Sequence, residues 1–76
     1  MDELFTWALY SSKLLDGSEV LTLRQNDRVF CEFAPAIANY KLWHAYFNGF
    51  PKFGLPSREA CIRSAEKMAG QKLKVL

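Results

Sequence analysis

The sequence predicts an α+β domain, a two- or three-stranded antiparallel sheet followed by a helix–loop–helix layer. Three observations carry that expectation. Residues 19–24 and 28–33 both alternate in hydrophobicity around the polar turn Gln25-Asn26-Asp27, the pattern of a β-hairpin. After Pro35 the apolar period lengthens, with Ile37, Tyr40, Trp43 and Phe47 recurring at helical spacing. From Ser57 onward an apolar face runs to Gly70, bounded by residues suited to cap a helix. Strands followed by helices, without strict alternation, read as α+β. With 76 residues the chain is expected to form one small domain over 1–76.

Each element has its own grounds. Residues 5–13 fit a helical face through Phe5, Ala8, Leu9 and Ser12, and a strand through Phe5, Trp7 and Leu9. A two-stranded hairpin is marginal alone, which favours a third strand here. Asp16-Gly17-Ser18 ends the segment with a turn. In the first strand of the hairpin Leu21 and Leu23 point one way and Val20 and Thr22 the other, and in the second Val29, Cys31 and Phe33 share one face. Pro35 suits the first turn of a helix, which Asn48-Gly49 would then stop. Residues 50–56 are read as a loop whose aromatics fold back onto the core. Ser57 is the expected N-cap of the second helix, with Cys61, Ile62, Ala65, Met68 and Ala69 inward and Gly70 closing it. The tail Gln71–Leu76 alternates Leu73 and Val75 with lysines, as a short edge strand or frayed end does.

A domain this short buries only about 60% of its unfolded surface. Its compensation is aromatic: eleven Phe, Trp and Tyr residues, each worth roughly 150–250 Å² when buried. The N-terminus carries acids where a secretion signal needs bases, and no stretch is long and apolar enough for a membrane span. The expectation is a cytoplasmic protein with reduced thiols and no membrane partner. Charge is uneven: residues 1–40 hold three basic groups against six acids, and Lys52 to Leu76 six against two.

Reactive chemistry is sparse. His44 flanks the apolar stripe, Cys31 and Cys61 fall on inward faces, and the four glycines sit at element boundaries. That leaves no phosphate loop, no paired carboxylates and no ligand set for a metal, so neither an enzyme nor a cofactor is expected. Of the aromatics between Tyr40 and Phe53, Tyr40, Trp43, Phe47 and Phe50 read as core. Tyr46 and Phe53 fall off that stripe and are the candidates for exposed contacts.

The stretch Phe47–Leu55 has the pattern F-x-G-x-P-x-x-G-L. It resembles small phage-encoded anti-CRISPR proteins that inhibit type I-F surveillance complexes, in which a similar pattern joins two helices packed on an antiparallel sheet. The resemblance covers about a third of the chain and implies an α+β fold and a stoichiometric inhibitor that blocks a protein surface. Its matched residues are structural, so it transfers no binding residue.

The leading expectation is therefore a non-enzymatic protein-binding module, on the resemblance an inhibitor occluding a CRISPR effector subunit. Its contact residues are read as Tyr10, Arg24 and Arg28 on the sheet and Tyr46, Lys52 and Phe53 on the loop. The alternative is a small nucleic-acid-binding domain using Arg58, Arg63, Lys67, Lys72 and Lys74. Self-association through the aromatic surface is a third.

Overall fold

The computed structural model describes residues 6–36 and 41–76. Five strands, β1 (Trp7–Lys13), β2 (Glu19–Gln25), β3 (Arg28–Pro35), β4 (Trp43–Phe47) and β5 (Phe50–Leu55), precede one helix, α1 (Arg58–Ala69). The strands form a single antiparallel meander in the order β1-β2-β3-β4-β5. This corrects the expected two- or three-stranded sheet with a helix–loop–helix layer. The sheet is larger, and the first expected helix is replaced by a β-hairpin.

The correction turns on Asn48-Gly49. Both residues take positive φ, 54° and 82°, and Phe47 pairs directly with Phe50 across them. A two-residue loop with both φ positive is the turn that matches the twist of a hairpin, and Asn-Gly is its preferred sequence. The same dipeptide also ends helices, so its signal is ambiguous when read locally. Trp43 and Phe47, four apart, fit a helical face, but with Ala45 they also alternate as a strand does, and aromatic residues pack well on a pleated surface. Ile37 and Tyr40, the first half of the expected helical stripe, lie outside the described residues. Pro35, expected at a helix start, is the last residue of β3, opposite Trp43. Pro51 is admitted to β5 because that strand is an edge.

The expected third strand over 5–13 is present as β1; Phe5 lies outside the described residues. Its turn into β2 closes with Gly17 N–H donating to Leu14 O at 3.0 Å and Ser18 N–H to Asp16 Oδ1 at 2.9 Å. At the β2–β3 turn Asn26 takes φ 56°. Its side-chain oxygen accepts from Thr6 N–H at 3.0 Å, and its own N–H donates to Thr6 O at 2.7 Å.

Helix α1 forms as its caps predict. Ser57 Oγ accepts from Ala60 N–H at 3.2 Å, and Gly70, at φ 70°, donates its N–H to Glu66 O at 2.8 Å. Its Cys61 and Ala65 are buried against Leu9, Leu21, Leu23, Cys31, Phe33 and Ala45 from the sheet, with Ile62, Met68, Leu73 and Val75 around them. The tail then runs parallel to β1. Val75 bridges Leu9, Ser11 N–H donates to Leu76 O at 2.9 Å, and Leu76 N–H donates to Leu9 O at 2.8 Å. That covers the β1 edge and leaves β5, among the described strands, as the open one. Among the described residues, no helix is long and apolar enough to cross a membrane.

A polar contact ties the helix start to the sheet. Arg58 Nε donates to Glu19 Oε1 at 2.6 Å and a second guanidinium nitrogen donates to Oε2 at 3.0 Å, while Ser11 Oγ donates to the same carboxylate. These bonds, Arg58's foremost, hold the Glu19 carboxyl below its usual 4.5. The native state therefore binds fewer protons than the unfolded chain in the acid range. The pair's contribution is complete at neutral pH and lost as pH falls from the ordinary glutamate value through the lower folded one. We expect Glu19→Gln to cost at most about 1 kcal/mol at pH 7, since the pair is partly exposed. The cost should shrink toward zero as acid protonates the wild-type carboxylate; urea melts of both forms at neutral and acid pH check this.

Candidate protein-binding surface

Away from the bulges, the register assigns the paired strand residues to faces. Leu9, Leu23, Cys31, Phe33 and Ala45 lie on the side that α1 covers. Tyr10, Thr22, Arg24, Glu32, His44 and Tyr46 fall on the other.

A bulge breaks the alternation in β3. Leu23 pairs with Cys31 and Arg24 with Val29, so Phe30 is an extra residue. Such an insertion lets consecutive side chains point the same way. Phe30 accordingly joins the helix side, its ring 5.2 Å from that of Trp7 at 79° and 6.1 Å from that of Phe47 at 78°. Val29, expected to point inward with Cys31 and Phe33, is instead 51% exposed on the open face.

The ring contacts continue from Phe47 to Phe53 at 6.4 Å. Four rings from β1, β3, β4 and β5 thus form one connected row, and Phe50, paired with Phe47, stands beside it. The two edge-to-face pairs, Trp7–Phe30 and Phe30–Phe47, are each favourable by about 0.5–1.5 kcal/mol beyond area burial. Trp7 and Phe47 pack against the core. Phe30, Phe53 and Phe50 are left incompletely covered, at 38%, 41% and 69% exposed. The row starts with Trp7 and Phe30 at the end of the sheet marked by the β2–β3 turn and reaches mid-sheet at Phe53, which is level with Phe33 and Ser11.

The open face is different in kind. Arg24 lies over the Tyr10 ring, its Cζ 5.9 Å from the centroid. With Thr22, Val29 and Glu32 these residues line an open cleft of about 270 Å³. Tyr46 is the cross-strand neighbour of Glu32 and lies edge-to-face with His44 at 6.2 Å.

The six expected contact residues are therefore divided. Tyr10, Arg24 and Tyr46 share the open face, and Phe53 belongs to the aromatic cluster behind it. Arg28 follows the β2–β3 turn, and Lys52 is the extra residue of a bulge in β5; both are exposed. The loop expected to carry Lys52 and Phe53 is strand β5. Phe50, expected in the core, is the most exposed of these rings. Trp7, Phe30, Phe47 and Phe50 are absent from the contact set that the sequence suggests. The Asn48-Gly49 turn signal could have brought Phe47 and Phe50 together, whereas nothing in the local sequence marks the bulge at Phe30.

The alternative basic set is also divided. Arg58 is engaged by Glu19 at the sheet end opposite Trp7. Arg63, Lys67, Lys72 and Lys74 are exposed on the helix and tail.

His44 and Cys31 fall on opposite faces, so their side chains point away from one another. Among the described residues, no group of three His, Cys, Asp or Glu side chains could hold a metal ion. Cys31 and Cys61 are buried and form no disulfide. Burial pushes both thiols up to about 12, helped by Glu32 at Cys31 and by Cys31 at Cys61. Thiolate is the reactive form, so both should resist iodoacetamide at mildly alkaline pH in the native protein and react quickly in urea. Mass spectrometry after a timed pulse checks this; rapid native alkylation of either residue would contradict it.

Compared with protein-family models, with curated proteins and with solved structures, the chain finds no match.

Proposed function

We propose that the protein is a non-enzymatic protein-binding module that acts by covering a surface of its partner. The observation supporting this is the exposed part of the aromatic row, Phe30 and Phe53, backed by Trp7 and Phe47, with exposed Phe50 opposite Phe47 beside it. Aromatic anchors fixed in a rigid support are what interface cores use, because little side-chain freedom remains to be lost on binding. Three exposed rings grouped around Phe47 differ from the scattered single apolar residues that a protein surface ordinarily carries. An inhibitor that occludes a CRISPR effector subunit is one form of this reading, resting on the Phe47–Leu55 pattern.

Affinity capture with two baits tests it, using lysates that include one expressing a CRISPR effector complex. The wild-type chain should retain a protein that Phe50→Ser/Phe53→Ser does not. Recovery of the same proteins by both baits, or of none by either, would count against the reading.

A further inference from the structure

Asn26 and Asn48 both occupy hairpin turns with positive φ, 56° and 54°, but they are held differently. Asn26 is pinned: its side-chain oxygen accepts from Thr6 N–H, its own N–H donates to Thr6 O, and the residue after it is Asp27. Asn48 is exposed, and among the described residues its side chain forms no hydrogen bond. It is followed by Gly49, also exposed, with no atom within 4 Å of the point where a side chain would begin. The Gly49 nitrogen is therefore unshielded beside the Asn48 amide, and glycine leaves this peptide unit the freedom to rotate toward it.

We propose that Asn48 is a site of spontaneous deamidation, and that the isoaspartate it yields dismantles the β4–β5 turn. The Gly49 nitrogen loses its proton to solvent base and bonds to Asn48 Cγ. The side-chain nitrogen takes up a proton and leaves as ammonia, closing a succinimide ring. Water then opens the ring at either carbonyl and returns a proton to the Gly49 nitrogen. Opening at Cγ gives aspartate and restores the original main chain, and Asp-Gly suits the same turn. Opening at the α-carbonyl leaves Gly49 joined through Cγ, which adds a methylene to the main chain of the turn. Loop length fixes the register of a hairpin, so Phe47 and Phe50 would no longer stand opposite one another. The consequence for binding rests on the protein-binding reading, in which Phe50 belongs to the contact surface.

The experiment ages the full chain in warm, mildly alkaline buffer and follows it by mass spectrometry after tryptic digestion. The peptide of residues 42–52 should gain about one dalton as oxygen replaces the amide nitrogen. It should also accept a methyl group from an isoaspartyl methyltransferase. Both changes should slow in mildly acidic buffer, where the Gly49 nitrogen is less readily deprotonated. Asn48→Gly gives a Gly-Gly turn of the same type and should show neither change. In the isoaspartate fraction, nuclear Overhauser contacts between Phe47 and Phe50 should be lost. No mass gain at position 48, or an equal gain at Asn26, would overturn the proposal. Aspartate alone at position 48, with the hairpin contacts kept, would overturn the dismantling of the turn. A partner protein captured equally by fresh and isoaspartate-containing chain would overturn the consequence for binding. Capture of no protein by the fresh chain would instead be a failure of the protein-binding reading, with the mass gain still deciding the modification.

Discussion

Phe33→Ala is expected to cost about 3–5 kcal/mol, enough to leave this domain largely unfolded at room temperature. Phe33 is fully buried in the central strand, paired with Leu21 on one side and Ala45 on the other. Both neighbours come from strands, and Ala45 is too small to move into the space a phenyl ring vacates. Cys61 and Ala65 of α1 share the same cluster, and they too are small. The cavity would therefore stay open, and its cost adds to the lost transfer of the ring from water. A chain of this length holds little stability in reserve. Urea melts followed by tryptophan fluorescence check the value; a loss under about 1 kcal/mol would mean that Phe33 does not occupy the core.

Phe50→Ser/Phe53→Ser is expected to lower affinity for the protein partner about a hundredfold or more while leaving the melting curve nearly unchanged. Aromatic hot spots are worth about 2 kcal/mol or more each, roughly thirtyfold apiece, although neighbours do not add in full. The folded state loses little, because Phe50 is 69% and Phe53 41% exposed and neither belongs to the buried cluster. Surface substitutions of that kind usually stay within about 0.5 kcal/mol. Titration calorimetry on the captured partner and a thermal melt give the two numbers. A variant that binds normally would remove the cluster from the interface, and one that unfolds would make it part of the core.

The elements legible in the sequence are those whose signals are local and unambiguous. Ser57 and Gly70 bound a helix whose apolar face needs no tertiary information. The 19–33 hairpin alternates around a polar turn, and Leu21 and Leu23 are buried as the alternation implies. Where two periods fit one set of residues, local pattern does not decide. Trp43 and Phe47 satisfy both, and Asn48-Gly49 serves a helix end and a hairpin turn alike. The burial of Ala45 between β3 and β5 is settled by partners distant in sequence, which a local reading cannot weigh. The bulge in β3 is the sharper case. It reverses Val29 and Phe30 relative to simple alternation, and so converts Phe30 into the ring that joins Trp7 to Phe47.

Charge shows the same division. The excess of basic residues from Lys52 onward is visible in the sequence. Its placement is not, because composition cannot say that the tail returns along β1.

The measurement that tests the account most directly is a nuclear Overhauser spectrum of the aromatic row. The hairpin predicts cross-strand contacts between Ala45 and Phe53 and between Phe33 and Ala45, with the Phe30 ring touching both Trp7 and Phe47. Sequential helical contacts across residues 43–47, with no contact from Phe30 to either ring, would contradict the sheet and the binding surface built on it.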